Sequence, residues 1–356
     1  MIRKRYVILV IGLVILVSLV LASSTLASDR CFFYDDAIGY VCQTRASLPT
    51  FATPTSPQVS FLDRTTYAYL DDNINLYPEP STAVPPVRNV GAGFLYVTVH
   101  GQVEVNGQLW YLINSGEYAL ASGVHLVPMP TFRGVEVIAQ PDRPFGWVVQ
   151  RVRPSSEPGG PENQSFSMLE RFDFFQTFGA AIAPDGWIWY DIGGGRWIKQ
   201  TYVSLVDITP RPAEVDPGEY WVEVDLYEQT AAAYVGDQMV YATLISSGLN
   251  RWPTSEGLFQ VWSRHLQNKM SGAEGQVDYY FIEDIPHIMY FDRDNEIALH
   301  GAYWHGRFGY KHSHGCVNMP PRDAEWIFNW SANAPNDLWV YVHTSDPLHY
   351  FVSYGD

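Results

Sequence analysis

From about Thr66 onward, apolar and polar residues alternate in short runs broken by Gly, Pro, Asn and Asp, a texture that predicts short β-strands joined by tight turns. Two stretches depart from it. Tyr6 to Ala22 carries no charge, follows Arg3, Lys4 and Arg5, and gives way to small residues at Ser23 to Ser28, with Thr25-Leu26-Ala27 offering a cleavage site. The run is also long enough to span a bilayer, so residues 1–28 read as a signal peptide or a retained membrane-anchor helix, with the rest of the chain outside the cytoplasm. Near the other end, Pro320-Pro321-Arg322-Asp323 predicts the start of a short helix, with Ala324, Ile327 and Phe328 at helical spacing on its inner face. Leu338 to Val342 then predicts a last buried strand.

The β-texture contains a repeat. Leu109 to Val127 aligns without gaps on Ile188 to Val206, and Trp110, Tyr111, Ile113, Gly116, Val124, Leu126 and Val127 recur at a constant offset of 79 residues. This predicts two small β-barrel-like units, 66–130 and 131–208, with Pro154 to Gln164 as a loop inside the second. Trp110, Tyr111, Trp189 and Tyr190 are either core residues or flat faces for sugars or peptides. Thr209-Pro210-Arg211-Pro212 and Asp216-Pro217-Gly218 mark a boundary to a third domain, 218–345. Between the N-terminal run and the first unit, 29–65 holds a cysteine pair and the Pro/Ser/Thr-rich stretch Ala46 to Gln58, which reads as a linker. The expected fold class is mainly β.

Charge and cysteine content narrow the function. A formal net charge of −16 argues against binding nucleic acid through its phosphates. There is no Gly-rich phosphate loop and no Rossmann signature, so no organic cofactor is expected. Of three cysteines, Cys31 and Cys42 bracket Phe32 to Val41, and a pair in an exported chain is more often a disulfide than two thiols. Cys316 is left over, and an odd cysteine in an exported protein is a candidate reactive thiol.

Cys316 sits in the chemically densest stretch, Ile297 to Met319, which also holds four of the ten histidines. A thiol attacks a carbonyl as thiolate, and an imidazole can take its proton and return one later. His300 follows the apolar run Ile297-Ala298-Leu299, which predicts a buried strand delivering the ring at its end. Cys316 follows Ser313-His314-Gly315, a loop whose glycine permits close backbone approach and whose amides can face an oxyanion. His314 can line such a site, and Asn318 can orient a substrate amide. The histidines could instead hold zinc, but their spacing matches no zinc pattern, and no metal is expected. His305 and His312 read as solvated loop residues.

His300-Gly301 followed by Ser313-His314-Gly315-Cys316-Val317-Asn318 resembles the L,D-transpeptidases of bacterial cell-wall synthesis, the YkuD-type catalytic domain. The likeness extends from about Tyr220 to about His343, through Ser246-Ser247-Gly248 and Thr254-Ser255-Glu256-Gly257-Leu258-Phe259; Ser255 stands where the family usually has proline. The resemblance implies that Cys316 is the nucleophile and forms a thioester with a peptidoglycan stem peptide, which an amine then resolves. It implies His300 as general base and acid, oriented by the Gly301 carbonyl. It further implies that the amides of His314, Gly315 and Cys316 line the oxyanion pocket, with Ser313, Asn318, Tyr290, Tyr303 and Trp304 contacting substrate. The repeats resemble bacterial Src-homology-three-like barrels. The expected partner is peptidoglycan, through stem peptides and possible glycan contacts of the repeats, with the membrane added if the N-terminal segment is uncleaved. The alternative expectation is a wall-binding protein whose catalytic domain is degenerate or only trims stems as a carboxypeptidase.

Overall fold

The computed structural model describes residues 30–35, 39–43, 51–54, 60–113 and 116–346. The expected signal or anchor, residues 1–28, lies outside them. The described chain is mainly β, with one α-helix, Pro321–Trp330. Cys31 and Cys42 stand directly opposite one another in the two-stranded hairpin Arg30–Asp35 and Gly39–Gln43.

The repeat is structural over its whole length. The first unit runs through the strands Thr66–Leu70, Phe94–Val105, Gln108–Ile113 and Glu117–Leu120, a 3-10 turn Ala121–Gly123 and the strand Val124–Val127. At the same 79-residue offset, the second has Phe145–Val148, then Phe174–Gln176 and Gly179–Ile182, then Ile188–Asp191, Trp197–Lys199, the 3-10 turn Gln200–Tyr202 and Val203–Val206. In both, the first strand pairs antiparallel with the last, Leu70 opposite Val124 and Val148 opposite Val203. Equivalent residues fill the two interiors: Ile113, Ala119 and Val124 in one, Ile192, Ile198 and Val203 in the other. Trp110 is fully buried and Tyr190 nearly so, which leaves neither with a face for a polymer. Tyr111 and Trp189 are half-buried.

Residues 131–144, expected as the start of the second unit, instead send Val135–Val137 into the sheet of the third domain. That seven-stranded sheet runs in the order Gly257–Gln260, Trp339–His343, Tyr220–Asp225, Thr230–Val235, Gln238–Leu244, Val135–Val137, Phe51–Ala52. Its strands are nearly continuous apolar runs because both faces are covered. One face packs under the helix, where Ala324 and Ile327 are fully buried as their spacing predicts, with Phe328 half-buried against them. The opposite face packs against the second unit through Phe145, Trp147 and Val149. Asp323, buried in the first helical turn, accepts from Tyr241 Oη at 2.8 Å, Gly134 N–H at 2.9 Å and Arg133 Nε at 3.1 Å, and from Thr243 Oγ1. A buried carboxylate is tolerated only with such a full set of donors, and here the donors tie the helix to the segment between the units.

A second sheet carries the cysteine loop. Val317–Met319 pairs parallel with Ile297–Gly301, which pairs antiparallel with Tyr280–Asp292. Tyr280–Asp292 in turn pairs parallel with Phe94–Val105 of the first unit, Tyr280 opposite Phe94 and Ile282 opposite Tyr96. The hydrogen-bonded sheet therefore runs without a break from beside the cysteine into the first repeat.

Candidate active site

His300 and Cys316 arrive on neighbouring strands and line one cavity of about 370 Å³ together with Trp304, His312, Ser313, His314 and Asn318. The register Leu299 opposite Val317 and His300 opposite Asn318 sets them side by side, with Cys316 at the mouth of its strand. Two expected scaffold elements hold the loop. Ser246 and Asn318 exchange backbone hydrogen bonds at 2.8 and 2.9 Å, and the N–H groups of His312 and Ser313 both donate to the Ser247 carbonyl. Thr254 Oγ1 donates to the Gly315 carbonyl at 2.7 Å and accepts from Gly248 N–H at 2.9 Å. Gly315 has φ +120°, a conformation that a side chain would strain. At Gly248 a Cβ would fall 2.1 Å from the Trp252 carbonyl, so the Ser246-Ser247-Gly248 element needs its glycine for close approach.

His300 Nδ1–H donates to the Gly301 carbonyl at 3.2 Å, which leaves Nε2 as the acceptor nitrogen. Burial drives the ring's pKa down to about 4, only partly offset by that carbonyl. Burial also pushes the Cys316 thiol up to about 11, against a smaller lowering from the Ala298 backbone. The resting pair is thus neutral thiol and neutral imidazole. Burial of both groups disfavours a standing ion pair between them. The His314 ring packs at a tilt against Trp252, centroids 3.8 Å apart, and lies 5.2 Å from Tyr280, and its pKa is lowered by burial and then by Arg251.

Other expected site residues are placed differently. Ser313 Oγ accepts from Gly315 N–H at 3.1 Å and donates to the Cys316 carbonyl, so its hydroxyl closes the loop, and the Gly315 amide is already engaged. Tyr303 does not line the cavity; it is buried behind it, stacked on Tyr67 at 3.6 Å with its hydroxyl donating to the Glu283 carbonyl. Tyr290 also lies outside the lining, packed beside Cys316 in the cluster that includes Tyr67 and Tyr96. Trp304 does line it, 5.7 Å from the His300 ring.

His305, expected as a solvated loop residue, is part of the site's support. Its Nδ1 accepts from Arg307 N–H at 3.1 Å, and its Nε2 lies 2.9 Å from Asn318 Nδ2. The loop bearing His305 is gripped by the second unit: Arg171 donates to the carbonyls of Gly306 and Phe308 at 2.9 and 2.7 Å, and Tyr310 Oη donates to the Val149 carbonyl at 2.9 Å. The spacing Tyr303-Trp304-His305 gave no hint of this, because the partners lie over 130 residues away. Among the described residues no group of three or more His, Cys, Asp or Glu is arranged to hold a metal ion.

Several known proteins are similar to part of the chain. Residues 219–345 match the YkuD family, the L,D-transpeptidase catalytic domain. The chain is 28% identical over 159 residues to a Bacillus subtilis (strain 168) protein named Putative L,D-transpeptidase YciB, covering 41% of this chain and 78% of that one. Among solved structures, an Enterococcus faecium L,D-transpeptidase mutant is 25% identical with TM-score 0.32, covering 36% of this chain and 50% of the other. The isolated catalytic domain of an E. faecium L,D-transpeptidase is 26% identical with TM-score 0.31, covering 35% of this chain and 98% of the other. The chain thus spans about half the length of the first of these structures.

Proposed function

We propose that the protein is an exported cysteine L,D-transpeptidase acting on peptidoglycan stem peptides. The observation that carries this reading is the single cleft holding Cys316 and His300, with His300 Nδ1 engaged by Gly301 so that Nε2 is the free base. As Cys316 Sγ attacks the carbonyl of an L,D-peptide bond, His300 Nε2 takes the thiol proton, and the N–H groups of Cys316 and His314 receive the oxyanion. Collapse to the thioester breaks the C–N bond, and His300 returns its proton to the leaving D-amino acid. An acceptor amine then attacks the thioester, loses a proton through His300, and Cys316 departs as thiol, leaving a new amide cross-link. The Asn318 side chain, held against His305, orients the donor stem peptide. Export follows from residues 1–28, and the opposed Cys31 and Cys42 pair as a disulfide in the oxidising exterior.

Intact mass after incubation with a carbapenem tests the nucleophile. A stoichiometric adduct is expected on the wild type and none on Cys316→Ala. No adduct on a folded wild type would overturn the enzyme assignment and favour a wall-binding protein with an idle catalytic domain. Cross-linked product from a stem tetrapeptide and an amine acceptor, lost in Cys316→Ala, separates transfer from simple trimming.

A further inference from the structure

The cleft is not built by the catalytic domain alone. Gly93 and Phe94, from the first repeat, line the same cavity as Cys316 and His300. Phe94 N–H donates to the Tyr279 carbonyl at 2.9 Å, and the parallel register continues through Leu95 and Tyr96. Gly93 makes the approach possible, since a Cβ there would sit 2.7 Å from the Tyr279 ring and 2.8 Å from its carbonyl oxygen. Behind this edge the contact is extensive and specific. Thr98 donates from its N–H to Glu283 and from Oγ1 to Asp284 at 2.7 Å, Tyr96 Oη donates to the Trp304 carbonyl, and Cys316 itself packs against the cluster that includes Tyr67 and Tyr96. The Phe94 ring rests on Tyr96 at 4.6 Å and is 38% exposed, facing the cavity.

We infer that Phe94 is a specificity-determining residue for the donor stem peptide: its ring forms an apolar subsite, with Tyr279 and Tyr280, for a part of the substrate away from the scissile bond. This rests on the peptide-acyl reading of Cys316. A half-exposed aromatic edge beside a reactive group, held by a pairing that a single glycine permits, has area to bury when a peptide enters and no chemistry of its own. The first repeat is then a wall of the substrate cleft. Its contribution falls on binding and not on the chemical step, because Phe94 carries no group that can move a proton.

The test uses the full chain. Affinity of a synthetic stem tetrapeptide is measured by calorimetry in Cys316→Ala and in Cys316→Ala/Phe94→Ala, where no turnover intrudes. A roughly tenfold weaker Kd in the double variant is expected, with Phe94→Trp restoring most of it. In the Cys316-containing enzyme, Phe94→Ala raises KM about tenfold at unchanged kcat, and alkylation of Cys316 by iodoacetamide, too small to reach Phe94, keeps its rate. Unchanged Kd, or a loss of affinity matched by a parallel loss of iodoacetamide rate that reports a collapsed cleft, would overturn the inference. A chain that binds stem through Phe94 yet forms no thioester would refute the transpeptidase reading and leave this subsite standing.

Discussion

The two copies of the repeat share one interior and differ in what they touch. In the first, the long strand Phe94–Val105 extends the cysteine sheet and brings Phe94 to the cleft. In the second, the matching stretch is split into Phe174–Gln176 and Gly179–Ile182, and the unit grips the Gly306-to-Tyr310 loop from behind. Gly309 records how close that grip is, since a Cβ there would fall 2.4 Å from Val149. One unit lines the cleft and the other braces the loop whose His305 contacts Asn318. The positions that make the barrel repeat at a fixed offset, while the positions that dock it do not: Arg171 aligns with Ala92, and Phe94 with Asp173. The repeated positions build the two bodies, and the unrepeated ones make the contacts.

The largest difference to probe lies in the barrels themselves. Trp110→Ala removes a fully buried side chain and is expected to cost about 3–5 kcal/mol, read from chemical denaturation; Trp189→Ala, from a half-buried site, should cost about a third of that or less. Equal losses would mean that the two strands play the same role after all. Next, Arg171→Ala frees two carbonyls of the His305 loop and should lower kcat by about a hundredfold, since each hydrogen bond from a charged group is worth about 1.5–3 kcal/mol, with KM little changed. Phe94→Ala should do the reverse, raising KM about tenfold at constant kcat. A kcat effect in both variants would erase the division of labour between the units.

The smallest effect is on the pH profile. His300 is held down to about 4, so it remains an unprotonated base until the pH nears that value, and the acid limb of kcat/KM should lie close to pH 4. In Arg171→Ala, a loosened loop lets water in and the limb moves up toward the ordinary imidazole value; in Phe94→Ala it stays. The same burial acts on folding. Between pH 6.5 and about 4 the unfolded chain takes up protons that buried His300 and His287 refuse, so stability falls as pH drops through that window. A melting temperature flat from pH 7 to pH 4 would contradict the burial of these rings.

Local signals carried much of this in the sequence. The His300-Gly301 and Ser313-to-Asn318 motif, the helix at Pro321 and the 79-residue offset all reside in short stretches whose residues act on near neighbours. What escaped was set by contacts between distant segments. Nothing local distinguishes Tyr303, which packs behind the cleft, from Trp304, which faces it, because Tyr67 decides the matter from 236 positions earlier. Ser313 was expected at the substrate, but its hydroxyl is consumed by its own loop. Val135–Val137 belongs to the third domain's sheet because the open edge of Gln238–Leu244 takes it. A glycine immediately before a strand, at Gly93, was the one hint of close docking.

The interleaving of the strands bears on how the protein can be cut. A fragment trimmed to residues 219–345 would lose Val135–Val137 from beside Gln238–Leu244 and Phe94–Val105 from beside Tyr280–Asp292, leaving two sheet edges with unpaired N–H and C=O groups. Bare edges of that kind recruit other chains. The bounds of the family match are therefore not the bounds of the paired sheets, and such a fragment should self-associate more than the longer chain.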